Sequence, residues 1–176
     1  MADNYLENRM EAYRSGRLAT HNRTSASMRA PRRSNQLTIT YPPMTVLIVA
    51  DESGGLVADT LSAFTSTGCR VAFTSPDVKV STSLAQRTGA RYYPAGMTFD
   101  GIMNDITGHW GVPDVILLFD PDSDSIGKLP ESVRMINARR ICENHRGTAT
   151  AVLARHLLYL SHPDNAFLLD SSGDFA

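Results

Sequence analysis

The stretch VLIVADESGGLVAD, from Val46 to Asp59, carries the strongest chemical signal in the chain. A short apolar run meets a glycine-containing turn, and a helix-like pattern follows. This is the layout of a dinucleotide-binding strand–turn–helix unit, in which the turn and the helix N-terminus receive a pyrophosphate. Asp51 and Val57 stand where such a unit wants glycine. The Asp51 carboxylate lies near the expected place of the pyrophosphate and opposes the attraction of the helix end. Val57 adds a side chain where helix and strand must approach closely. Gly54 and Gly55, next to Ser53, leave some slack.

Other residues offer weaker chemistry. Asp120 to Glu131, DPDSDSIGKLPE, spaces its acids like a calcium loop. Ser125 replaces the glycine that such a loop needs at its sharp turn, and the segment follows a strand-like run, not a helix. An acidic loop leading into the next helix is the simpler reading. His109, His145, His156 and His162 show no HExxH or comparable metal spacing, and no metal site is expected. No GxSxG elbow is present. Trp110 precedes an apolar run and reads as packing.

The whole chain narrows the setting. It has 176 residues, enough for one domain with an appendage, and 42% hydrophobic residues, enough for a sizeable core. A net charge of -1 points to no polyanionic or membrane partner. Cys69 and Cys142 form no disulfide framework and read as buried thiols in a reducing compartment. No apolar run reaches the roughly 18 residues of a membrane span. The polar N-terminus lacks a signal-peptide core, so a cytoplasmic location is expected.

The elements fall into two regions. Residues 1–43 read as an N-terminal helix plus a basic extended arm. Tyr5, Leu6, Met10 and Tyr13 fall near one helical face between Asp3 and Ser15. From Ala12 to Ala50 there is no Asp or Glu, and Gly16 to Asn35 is too poor in large apolar residues to order itself alone. Its arginines lack interleaved aromatics, so nucleic acid is not the expected partner. LTITY, Leu37 to Tyr41, alternates like a short strand ended by Pro42 and Pro43.

Residues 44–176 read as one regular folded domain. TVLIVA, CRVAFTS, ARYYPAG and DVILLFD read as strands. GLVADTLSAFTSTG, VSTSLAQRTG and FDGIMNDITGHWG read as the helices between them. ESVRMINARRICENHRGTATAVLARHLLYLSH reads as a long helical stretch bent near Gly147. NAFLLDSSG reads as the fifth strand. Strict alternation predicts an α/β fold, a three-layer parallel sheet of about five strands with helices on both faces and right-handed crossovers.

Phrases such as GCRVAFTS, LAQRTGARYYPAG, HWGVPDVILLF, AVLARHLL and FLLDSSG resemble the N-terminal part of the short-chain dehydrogenase/reductase family. The resemblance covers Met44 to Ala176. The family's opening TGxxxG pattern, with a third glycine beyond it, falls on ADESGGLV and leaves Asp51, Gly55 and Val57 at the three glycine positions. The resemblance places Ser75, with Asp77 nearby, where a ribose-binding acid is usual. It places Gly96 at the adenine-contacting Asp, and Leu118 to Pro121 at Asn-Asn-Ala-Gly. The catalytic Asn falls on Ile141, with Asn137 and Asn144 nearby. Ser172 matches the catalytic Ser, while the family's YxxxK has no counterpart in the 176 residues.

The resemblance therefore implies a truncated Rossmann-like domain over residues 44–176, a doubly wound sheet in the order 3-2-1-4-5, with a degenerate cleft formed by Asp51, Ser53, Gly54, Gly55, Ser75 and Asp77, and a vestigial Ser172. The expected function is a non-catalytic interaction or structural module. No cofactor is expected. The alternative is an NAD(P)-binding oxidoreductase relative that binds NAD or NADP weakly, or one completed by a partner chain. A free apolar edge at the fifth strand implies a homo-oligomer, a dimer, or a partner protein.

Overall fold

The computed structural model describes residues 43–120, 126 and 129–169. The expected N-terminal helix, the basic arm, the LTITY strand and Ser172 lie outside the described residues, as does most of the acidic loop after Asp120.

The regular part opens with β1 (Thr45–Val49), whose unbroken TVLIV run suits a strand covered on both faces. It leads through a short turn into α1 (Gly55–Ser66). There Val57, Leu61 and Phe64 recur at helical spacing and are fully buried. β2 (Arg70–Ser75), α2 (Val78–Thr88), β3 (Arg91–Pro94), α3 (Phe99–Trp110) and β4 (Val115–Leu118) continue the alternation. α2 stops at Gly89, whose φ of 76° is left-handed backbone that glycine adopts without strain. Asp77 and Thr98 cap the N-termini of α2 and α3 by accepting hydrogen bonds from Val80 N and Gly101 N.

Among the described residues the strands are all parallel and lie in the order β3-β2-β1-β4-β5. Alternate β1 residues serve opposite layers. Val46 and Ile48 join a core with α1, α2 and the later helices, whereas Leu47 packs with Ile102 and Ile106 of α3. This is the three-layer, doubly wound arrangement expected from the sequence.

The fifth strand is not where the sequence placed it. β5 is Arg134–Asn137, inside the stretch expected to be one long helix. That stretch becomes β5, then α4 (Ala138–Asn144), then α5 (Thr150–Ser161), with Gly147 at φ 89° between the helices. Of the NAFLLDSSG run, Asn165 to Leu168 belongs to a 3-10 helix, Pro163–Leu168, and Asp170 to Gly173 lie outside the described residues. Only Ile136 is buried within β5, so alternation is too weak to mark a strand by pattern. His162 caps the 3-10 turn through Asp164 N, and Phe167 points outward, 76% exposed. No helix among the described residues is long and apolar enough to cross a membrane.

Candidate functional site at the strand-order reversal

Strand order reverses between β1 and β4, which lie side by side with Val49 opposite Leu118. In an open parallel sheet, the crevice beyond the carboxyl ends at such a point is the usual ligand site. Here it opens between Asp51, after β1, and Phe119, after β4. A cavity of about 250 Å³ occupies it, with Leu56, Phe119 and Cys142 on its apolar side and Asp51, Glu52, Arg139, Glu143 and Arg146 on its polar side.

Arg139 controls this opening. Asn137 caps α4 by accepting from Arg140 N, which sets the first turn of the helix beside the crevice. From there the Arg139 Nη1 donates to the Asp51 carboxylate at 2.5 Å and to the Phe119 carbonyl oxygen at 3.3 Å. Its Nε lies 3.5 Å from Glu143 Oε1. The Asp51 hydrogen bond, followed by the charges of Asp51 and Glu143, holds the guanidinium's pKa above its ordinary value. One cation is thus shared between the turn after β1, the end of β4 and its own helix. Cys142 is half-buried behind it. Burial, then the negative charge of Glu143, pushes the thiol pKa up to about 11, so at neutral pH it is a protonated wall of the cavity, not a nucleophile.

On the other side of the turn, three hydroxyls converge. Ser53 Oγ lies 2.9 Å from Ser75 Oγ and 3.3 Å from Ser81 Oγ, and Ser75 and Ser81 hydrogen-bond each other directly. Ser75 and Ser81 are buried. The cluster ties the turn to the end of β2 and to α2, and its hydroxyl groups are used by one another. Asp77 is likewise committed, as the cap of α2.

The glycine positions behave unequally. Gly54 has φ -71° and ψ 179°, ordinary extended backbone, and gives α1 an N-cap without a side-chain hydrogen bond. A Cβ at Gly55 would meet nothing within 4 Å, and one at Gly54 would meet only the flexible Glu52 carboxylate, at 3.1 Å. Neither glycine is demanded by the turn itself. Val57, where the resemblance puts a third glycine, is fully buried in the main core.

The structure therefore brings Ser53 and Ser75 together, sets Asp51 at the crevice and Gly54 and Gly55 at the start of α1, and leaves Asp77 as a cap. Of the positions weighed for a catalytic Asn, Ile141 is buried and Asn137 is a helix cap. Arg139 and Ser81 were not singled out from sequence. Ser81 lies six residues after Ser75, on the next element, so its signal was this short spacing of two hydroxyls. Arg139 carried no local signal, because its partner is distant in sequence. Among the described residues, no group of three or more His, Cys, Asp or Glu side chains could hold a metal ion.

No family profile and no curated protein matches the chain. Solved structures do. BdcA (YjgI) from E. coli matches with a TM-score of 0.50 and 17% identity over 74% of this chain and 96% of that one. BdcA in complex with NADPH matches with a TM-score of 0.50 and 14% identity, over 77% and 93%. A short-chain type dehydrogenase/reductase from Mycobacterium ulcerans matches with a TM-score of 0.40 and 14% identity, over 46% of this chain and 33% of that one. A ribose-5-phosphate isomerase from Brucella melitensis matches with a TM-score of 0.39 and 16% identity, over 47% of this chain. The chain spans only 33% of that isomerase. At these identities the likeness shows the fold: a Rossmann-like parallel sheet, with short-chain dehydrogenase/reductases among its structural neighbours.

Proposed function

We propose that this Rossmann-like domain is a non-catalytic interaction or structural module whose ancestral nucleotide crevice is held by its own side chains. The observation that carries this reading is the Asp51–Arg139 ion pair across the strand-order reversal. A pyrophosphate entering there meets the Asp51 carboxylate and must separate it from its guanidinium partner. Two further features support the reading. The hydroxyls beside the ribose position are bonded to one another, and the nearby acid, Asp77, already caps a helix.

A second reading keeps a weakened nucleotide site. It is favoured by the N-terminus of α1, which lacks a side-chain cap and an acidic residue in its first turn. Such an end attracts anions. BdcA, which shares the fold, has been solved with NADPH. Under this reading Arg139 would turn from Asp51 to a phosphate.

Calorimetric titration of the purified chain with NAD(H) and NADP(H) separates the two readings. The module reading expects no saturable heat at sub-millimolar ligand. The second reading expects saturation there, lost in Arg139→Ala. Trp110 is a poor reporter for this purpose. Its carbonyl accepts a hydrogen bond from Arg70 at the start of β2, at the opposite end of the sheet from the crevice.

A further inference from the structure

We propose that the outer surface of α1 and α5 is a self-docking site, on which a second copy of this chain packs about a two-fold axis. The two helices lie against each other and leave a groove of about 350 Å³ between them. Its walls are small: Ser62, Ala63 and Ser66 from α1 and Ala151 from α5. The serine hydroxyls turn back onto their own helix, Ser62 to Ala58 O and Ser66 to Ala63 O, each at 2.8 Å. The groove floor therefore presents short, hydrogen-bond-satisfied side chains that allow another helix to approach closely.

Two exposed apolar residues stand beside Arg155, a groove residue, at helical spacings of three and four along α5. Val152 is 55% exposed and Tyr159 is 40% exposed. They are seven residues apart on α5, so they share one helical face. The rest of α5 is spent on the core, through Leu153, Ala154, Leu157, Leu160 and Ser161. Phe167, in the 3-10 turn that follows, is a further exposed apolar residue, and Asn165 Nδ2 donates to the Tyr159 carbonyl oxygen, which ties that turn to the end of α5.

Charge selects the occupant. The groove holds one acid, Asp59, and one base, Arg155. Among the described residues Arg155 has no ion pair or hydrogen bond, and Asp59 accepts a hydrogen bond from Thr150 without a cationic partner. A two-fold axis over the groove offers each Arg155 the Asp59 of the partner subunit, and each Asp59 the Arg155 of the partner subunit. This is the reciprocal pattern of an isologous interface. A nucleic acid or an acidic membrane surface would leave Asp59 facing like charge. This surface gives the interaction-module reading a partner. It involves no residue of the crevice, so its failure and the failure of that reading are read in separate experiments.

The test uses the full chain in sedimentation equilibrium across a concentration series. Wild type is expected to show a reversible monomer–dimer equilibrium. Arg155→Asp and Asp59→Arg are each expected to raise the dissociation constant by about tenfold or more, since each sets like charges across the interface. An equimolar mixture of the two variants is expected to recover a dimer, because both crossed pairs then become complementary. Asp59→Arg also removes the Thr150 contact, so Val152→Glu, an exposed change with no effect expected on the monomer fold by circular dichroism, provides an independent disruption. A chain that stays monomeric into the tens of micromolar overturns the proposal. So does a dimer that is indifferent to Arg155→Asp and Val152→Glu, or variants whose mixture does not associate.

Discussion

Asp51 and Arg139 lie 88 positions apart in sequence and meet at 2.5 Å over the crevice between β1 and β4. The pair joins the first turn of the sheet to the helix after its last strand, where a dinucleotide fold would put phosphate.

Breaking the pair from the acidic side should expose what remains of an anion site. Asp51→Asn keeps the shape of the turn, removes the charge that opposes phosphate and frees Arg139. The expected outcome is a several-fold or larger gain in NADP(H) affinity over wild type by calorimetry. Adding Arg139→Ala should abolish that gain. No gain in Asp51→Asn would mean that something other than this carboxylate blocks the crevice.

Val57→Gly is expected not to help, although the sequence pattern suggests restoring the missing glycine. Val57 is fully buried beneath α1, so the change removes core contacts and adds a helix-interior glycine. A loss of about 2–4 kcal/mol in stability is expected from the two effects together. Chemical denaturation measures it, and an unchanged midpoint would contradict the packing described for α1.

Asp77→Ala separates a cap from a ribose ligand. As the cap of α2 it should cost about 1 kcal/mol of stability and leave nucleotide titrations unaltered. A change in ligand affinity without loss of stability would return Asp77 to the binding site.

The chain should lose stability in alkali. Burial, followed by hydrogen bonding to Asp105, raises the Tyr93 pKa from 10.0 to about 12. Burial and Glu143 raise that of Cys142 from 9.0 to about 11. Both groups hold their protons more tightly when folded. Their contribution is full below pH 9 and is lost as pH rises through about 11 and 12. Tyr93→Phe and Cys142→Ser should each flatten part of that fall in a series of thermal melts. Cys142 should also alkylate slowly at neutral pH and accelerate toward pH 11.

His156 should act at the other end of the pH range. Burial and then the neighbouring His145, whose ring lies 5.8 Å away, hold its pKa below the ordinary 6.5. Its contribution is present above 6.5 and is lost as pH falls through the lower folded value. His156→Gln should therefore reduce the drop in melting temperature between neutral and mildly acid pH. An equal drop in the variant would remove His156 from the account.

The legible part of the fold was written in local pattern. Val57, Leu61 and Phe64 mark α1 by spacing, and Gly89 stops α2 through its left-handed backbone. β5 was hidden because one buried residue, Ile136, cannot display a period of two. The apolar run from Asn165 to Leu168 imitated a strand, but Pro163 and the His162 cap begin a 3-10 turn there instead. In the site, Asp51 and Ser75 were visible as departures from a glycine-and-acid pattern. Arg139 was not, since it acquires its role only when β5 and α4 bring it back to the first turn.

The most direct test of the central claim is calorimetric titration of the wild-type chain with NADPH, beside Asp51→Asn. A crevice held by Asp51 and Arg139 predicts no saturable binding at sub-millimolar NADPH for wild type and measurable binding for the variant. Saturable micromolar binding by wild type, unaffected by the substitution, would contradict it.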